Sequence, residues 1–326
     1  KVGVLFMTFS RYYRHKLTAQ QKAIYDDLVA GMENRVYEVQ TNYVSNQDIS
    51  VIAHAVNFDN PQLFYVDFTR ITVIQFMGTS KVLVSYLFDE CIQRNIEQKL
   101  KTITSKILNR VAGKTMKVAS LVLHDWLVCN CKYGECNDVP NASHSIVGAL
   151  IYSKCVCEGY AKAYKYLADL IKMRSIVVVG KGIHPDGTSG GHAWNIVMLN
   201  KQCFHVDVTF DLLFAGKYCS RAYFLLSTKE ILYDHSIDPV FDMPECSVDS
   251  QVLPVVSGTA ELINFLSIQY QLRVTHSEVR LTKGFPKQKL FAMIKEKMAA
   301  KDVGWYNQID TFWYGDKSRT LFVCWK

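Results

Sequence analysis

The stretch from Cys155 to Thr209 constrains this chain more than any other, because it sets a cysteine, a histidine and an aspartate in an order that makes chemical sense. It reads CVCEGYAKAYKYLADL, then a glycine-rich segment, then GHAWNIVML, then FHVDVTF. After Cys157, the residues Ala161, Tyr164, Leu167, Ala168 and Ile171 fall at steps of three and four, the period of an amphipathic helix. Cys157 therefore stands at or just before a helix N-terminus. Unpaired N–H groups and the helix dipole there favour a thiolate, the form of cysteine that attacks carbonyl carbon.

His192 opens HAWNIVML, whose apolar and β-branched content predicts a strand, and Asp207 lies in a second strand-like run, FHVDVTF. Asn200-Lys201-Gln202 forms a turn between them, and strands joined by a tight turn pair antiparallel. His192 lies eight residues before Asn200 and Asp207 seven after it, so the pairing brings the two near each other. A carboxylate so placed holds an imidazole in one tautomer while the other ring nitrogen faces a thiol. The spacing proposes a Cys157–His192–Asp207 triad.

Cys-Glu-Gly-Tyr-Ala entering a helix, then Gly-His-Ala-Trp-Asn, then His-Val-Asp-Val-Thr resembles the core of the bacterial transglutaminase-like (papain-like cysteine) superfamily. The resemblance covers roughly residues 110 to 235, including Tyr223-Phe224-Leu225-Leu226-Ser227 and His235. It extends more weakly to LTAQQKAIYDDL and DNPQLFYVD nearer the N-terminus. It implies an α+β fold in which the nucleophile helix packs on an antiparallel sheet, with an N-terminal α/β module and a small C-terminal α/β module. By the resemblance Cys157 is the nucleophile, His192 the general base and acid, and Asp207 the orienting carboxylate. Phe210 stands where members often carry Trp after Asp-Val-Thr, a difference that concerns packing beside the site.

Rivals to these residues are present. Cys155 lies two residues upstream, before the helix, where the dipole helps less, and outside the Cys-Glu-Gly-Tyr-Ala position. His184, His205 and His235 are alternative bases. His205 shares a strand face with Asp207, so it can line the site but not replace a histidine on the partner strand. Trp194 shares a face with His192 and is expected to pack beside the imidazole.

At 326 residues, with 49% apolar and 12% aromatic content, the chain can bury a sizeable core and is not disordered. The net charge of +7 is modest. Arg94, Lys99, Lys101, Lys106, Arg110, Lys114 and Lys117 spread along one helical stretch and read as a solvated face, not a nucleic-acid or membrane patch. No stretch approaches the ~20 apolar residues of a membrane span. Ten cysteines follow no framework spacing and favour a reducing compartment or an anaerobic source. Cys129, Cys131 and Cys136 with His124 upstream lack the paired C-x2-C form of a zinc site, so neither a metal nor a disulfide is the reading there. The start is apolar after Lys1, lacks an initiator Met as a truncated chain would, and is too short for a signal peptide, which leaves export open.

Taken in order, three units are expected: residues 1–88, 89–245 and 250–326. The first holds a helix from 17 to 32 with a Thr18/Gln21 capping box and a stop at Gly31, a strand from Arg35 to Gln40, a helix begun at Ser45, and a hairpin about Gly78. The second opens with helices over 89–111 and 116–129, then a loop over 133–143. Ser175 to Val179 reads as a short buried strand. The segment from Gly180 to Gly191, with five glycines in twelve residues, leads straight onto His192 and reads either as a mobile lid or as a floppy surface connection. The third unit, two helices and three strands, carries no nucleophile or ligand set, so packing or partner binding is its expected role.

The expected activity is acyl transfer from a peptide or glutamine carboxamide carbonyl through a thioester, with hydrolysis (protease or amidase) placed ahead of protein crosslinking. The alternative from another class is a non-catalytic transglutaminase-fold interaction module. A protein or peptide is the expected partner. No cofactor or metal is implied, and no D-x-D-x-D-G calcium motif is present. For the second oxyanion donor, Trp126, His144 and Tyr152 are the upstream polar aromatics that could reach.

Overall fold

The computed structural model describes residues 11–137, 139–183, 187–213, 218–249, 252–282, 287–300, 307–315 and 317–326. The chain begins with α1 (Tyr12–Lys16) and α2 (Ala19–Glu33). Thr18 caps α2 as the sequence predicts: its hydroxyl accepts from Gln21 N at 3.3 Å, and Gln21 Oε1 accepts from Thr18 N at 3.0 Å. The helix runs past Gly31 instead of stopping there. A Cβ on Gly31 would overlap the Val39 side chain, so this glycine lets β1 (Glu38–Asn42) lie against the helix. Next come α3 (Asn46–Asp59), capped by Ser45, and the hairpin β2 (Thr72–Gln75) and β3 (Thr79–Leu83), which completes a β1–β3–β2 sheet.

Two longer helices follow, α4 (Glu90–Val111) and α5 (Met116–Asn130). The segment expected as a plain loop after α5 carries β4 (Lys132–Tyr133), which pairs in parallel with β5 (Lys154–Cys155) across a π-helical turn at Gly148–Tyr152. Then comes α6 (Cys157–Leu170). It packs on α5 on one side and, on the other, on a five-stranded sheet in the order β11–β8–β7–β6–β12. Those strands are β6 (Arg174–Ile183), β7 (Ser189–Leu199), β8 (Gln202–Val206), β11 (Phe224–Leu226) and β12 (His235–Ile237), antiparallel throughout. The small ribbon of β9 (Leu212–Leu213) and β10 (Tyr218–Cys219) interrupts the chain after β8, and α7 (Thr228–Ile231) lies between β11 and β12.

The N-terminal helices are anchored on this sheet. Tyr13 OH donates to Val177 O at 2.5 Å, and buried Asp59 accepts from the backbone N–H groups of Tyr13 and Arg14 at 3.1 and 2.9 Å. Lys162 on α6 donates to Asn57 on α3 at 2.7 Å. Buried apolar residues from Tyr12 to Cys246 form one continuous core. A separate core fills the C-terminal part. There β13 (Val255–Val256), β14 (His276–Leu281), β16 (Thr320–Trp325) and β15 (Ile309–Gly315) make a four-stranded sheet beside α8 (Thr259–Gln271) and α9 (Lys287–Ala300).

The lid expected over Gly180 to Gly191 is corrected by the sheet. β6 extends to Ile183 and β7 starts at Ser189, with Gly180 opposite His192, Lys181 opposite Gly191 and Gly182 opposite Gly190. Two of the five glycines, Gly180 and Gly182, reflect close approach. A Cβ on Gly180 would overlap Ser236 O of β12, and one on Gly182 would stand 2.9 Å from the Phe210 ring. His184 lies outside the described residues.

Candidate active site

Cys157 is the first residue of α6, with Val156 in extended backbone as the N-cap, and it is half-buried. What allows the helix to start there is Gly159. A Cβ at that position would overlap Ser143 O and come within 2.6 Å of Cys155 Cβ. The Ser143 carbonyl in turn accepts from Val156 N at 3.1 Å, which ties the preceding loop to the helix entry.

His192 lies on β7 opposite Gly180, and Asp207 follows β8 directly. The turn between β7 and β8 is two residues long, with Asn200 at φ 50° and Lys201 at φ 68°. Both are left-handed, as a tight hairpin of matched twist needs. That register makes His192 and Asp207 diagonal neighbours across the sheet. His192 Nε2 meets Asp207 Oδ2 at 2.6 Å. Asp207 Oδ1 accepts the backbone N–H groups of Thr209 and Phe210 at 2.9 and 3.1 Å. With Nε2 engaged by Asp207, Nδ1 is the ring nitrogen left over, and Cys157 is near enough to raise the imidazole further.

The electrostatics follow from burial opposed by charge. Burial pulls the His192 imidazolium down, but the Asp207 charge outweighs it, and the Cys157 thiol adds in the same direction, leaving His192 at about 10. Burial pushes Asp207 up, while His192 and His235 more than offset it and hold the carboxyl below its usual range. Trp194 stacks beside His192 at 5.8 Å and 18° between planes, as expected from their shared strand face. Phe210 covers the same ring at 4.9 Å.

The rivals are placed elsewhere. Cys155 is buried, 3.5 Å from Cys131 Sγ to Sγ, and burial followed by that hydrogen bond pushes its thiol well up. His205 is fully buried, accepts from Trp194 Nε1 at 3.0 Å and faces Thr228 at 3.2 Å; burial and the nearby His235 press it down to about 3. His144 pairs with Glu158 at 3.0 Å, and Trp126 packs partly buried on the main core. Tyr152 is 45% exposed. A different aromatic stands closer to Cys157 in electrostatic terms: the Tyr133 phenol, raised by burial and then by the Cys157 charge. The β4–β5 pairing that carries Tyr133 to this place is a two-residue parallel contact with no sequence period to announce it.

His235 is not a rival base but a second partner of Asp207, with Nε2 at 2.9 Å from Oδ2. Asp234 and Tyr223 extend the same row. The adjacent Asp234-His235 pair in the sequence is the only trace of this arrangement. His192, Asp207 and His235 also bring three potential ligand atoms within 4.8 Å of one another, the one such group among the described residues. Both Nε2 atoms stand at hydrogen-bond length from the same carboxylate oxygen. Cys129, Cys131, Cys136 and His124 do not converge on a metal. Cys129 faces Cys219, Cys131 faces Cys155, Cys136 donates to Lys154 O, and His124 sits between Asp125 and Asp211. Among the described residues no helix is long and apolar enough to cross a membrane.

Cys157 thus stands at a helix start and His192 on an antiparallel sheet. No protein-family model and no curated protein matches the chain. Among solved structures it is similar to a crystal structure of a TGase, at 10% identity and a TM-score of 0.32, over 56% of this chain and 53% of that one. It is also similar to a proposed cysteine protease from Cytophaga hutchinsonii, at 12% identity and a TM-score of 0.29, over 43% of this chain and 61% of that one. The chain spans little more than half the length of each, and the likeness extends to part of the fold alone.

Proposed function

We propose that this protein is a cysteine-dependent acyl-transfer enzyme acting on peptide or glutamine carboxamide carbonyls, with Cys157 as nucleophile, His192 as base and acid, and Asp207 as orienting carboxylate. The observation that carries this reading is the His192 ring, held by Asp207 at 2.6 Å on one nitrogen, with the half-buried Cys157 thiol near enough to raise it. His192 takes the thiol proton and the thiolate adds to the carbonyl carbon. The oxyanion is held by the Cys157 N–H, one of the donors a helix start leaves unpaired. The tetrahedral adduct collapses with expulsion of ammonia or an amine, protonated by His192, and a thioester remains. Water, deprotonated by His192, then releases the acid and the free thiol. Residues 89–245 form the catalytic unit in this reading, with 1–88 and 250–326 flanking it.

The test is iodoacetamide labelling at pH 6 followed by peptide mass spectrometry, on the wild type and His192→Ala, together with release of ammonia or amine from peptide and glutamine donors. Cys157 is expected to label first, His192→Ala to abolish that preference, and Cys157→Ala to stop product release. Incorporation of a primary amine in place of water would make the enzyme a crosslinking transglutaminase. Labelling of Cys157 no faster than of the other nine cysteines overturns the enzymatic reading and leaves the interaction module.

A further inference from the structure

One oxygen of Asp207 serves two imidazoles. Oδ2 faces His192 Nε2 at 2.6 Å and His235 Nε2 at 2.9 Å. On its far side His235 Nδ1 meets Asp234 Oδ1 at 2.6 Å, and Tyr223 OH donates to Asp234 Oδ2. His235 is 4% exposed, Asp234 3% and Asp207 0%, so water does not complete these bonds. A carboxylate offers only acceptors, so an imidazole bonded to a carboxylate at each nitrogen carries a proton on both. His235 therefore sits as an imidazolium clamped between two acids, and the row Tyr223–Asp234–His235–Asp207–His192 ends at Cys157.

We infer that His235 is a positioning residue of the Cys157 site: it holds Asp207 Oδ2 towards His192 and offsets part of that oxygen's charge, so that the His192 proton stays transferable. The inference rests on the reading of Cys157 as nucleophile. An unshared Asp207 charge would bind the His192 proton too firmly for it to pass to a leaving amine. Every charged or titratable group facing His235 fits this balance. Asp207 and Asp234 bond it, Tyr223 lies at 5.9 Å, and His192 lies at 5.3 Å between ring centroids. His205, pressed down by burial and by His235 itself, remains neutral. Trp194 at 5.0 Å and Phe210 at 4.4 Å close the rest of the ring's surface.

The experiment is the rate of Cys157 alkylation from pH 4 to 10 on the full chain, for the wild type, His235→Gln, His235→Phe and Asp234→Asn, each checked for fold by circular dichroism. Glutamine keeps an N–H for Asp207 without the charge. Its labelling midpoint is expected about one pH unit below wild type, an approximately tenfold gain in labelling at acid pH, with an unchanged plateau. Asp234→Asn shifts the midpoint the same way by less, and His235→Phe also lowers the plateau. A midpoint unmoved in folded His235→Gln overturns the inference while leaving the triad standing. Wild-type labelling indifferent to His192→Ala overturns both. Should the variants fail to fold, nitrogen-15 histidine spectra of the wild type decide: His235 protonated at both nitrogens through pH 5 to 9 supports the inference, and a single-proton tautomer overturns it. A wild-type profile that changes on adding a chelator would mean that the three side chains hold a metal, and would overturn it as well.

Discussion

Gly159 shows how much a single missing carbon decides. Its Cα passes so close to Ser143 O and Cys155 that alanine must displace backbone on one side and a buried side chain on the other. Gly159→Ala is expected to cost roughly 1–3 kcal/mol, the usual size of overpacking, and to slow Cys157 alkylation because the helix start shifts. Gly190→Ala is the matched control: nothing lies within 4 Å of the added carbon, and its stability should stay within about 0.5 kcal/mol of wild type by thermal melting. Equal losses in the two would show that the effect is not steric. The contrast also explains what the sequence made legible. Cys157 stands out because it begins a helix, Asp207 because it follows a strand and His192 because it lies inside the partner strand, and a two-residue turn fixes the register between the last two. The glycines of 180–191 are compositionally identical to those of a flexible loop. What sets Gly180 and Gly182 apart is Ser236 and Phe210, which reach them from segments distant along the chain.

Elements were read well where one face is apolar and poorly where a partner decides their extent. α2, α3, α4 and α5 carry a side-chain cap at Thr18, Ser45, Asp89 and Thr115, and each starts within a residue or two of its expected place. β6 doubles its expected length because β7 and β12 pair with its glycine end, and neither is a neighbour in local sequence. Three of the four C-terminal strands were legible, whereas β13, two residues paired in parallel with β14, and the attachment of the sheet were not. Arg280 on β14 reaches Glu230 Oε1 at 2.6 Å and Ala222 O at 2.8 Å, and Glu278 accepts from Ser220 Oγ and Arg221 N at 2.6 and 2.9 Å. Arg280 is 6% exposed, so Arg280→Ala strands the Glu230 carboxylate in the interface, a loss of about 3–5 kcal/mol for a broken buried pair. Limited proteolysis read by mass spectrometry should then show faster cleavage between residues 238 and 254, with Cys157 labelling retained. Unchanged cleavage would mean that other contacts hold the C-terminal sheet.

Across the molecule, two of the buried charge clusters are organised around a histidine held between two acids. His235 lies between Asp207 and Asp234, and His124 lies between Asp125 and Asp211, with both its nitrogens at 3.0 Å and no exposed surface. Burial alone would strip the His124 proton; the bonds and charges of Asp125 and Asp211 outweigh it and raise the ring to about 9 from 6.5. A raised histidine binds its proton more tightly folded than unfolded. Its contribution is therefore complete below about 6.5 and disappears as pH climbs through about 9, and it amounts to about 3 kcal/mol at most for a shift of this size. His192 and His235 are raised too and slope the same way, so the wild type should lose stability steadily from pH 6.5 to 9. Denaturant unfolding at stepped pH separates the shares. His124→Gln should be less stable than wild type at pH 6, and the gap should narrow as pH approaches 9, because the variant lacks the proton whose loss weakens the wild type. A gap constant with pH would mean that His124 is neutral in the folded protein and that Asp125 or Asp211 carries the proton instead.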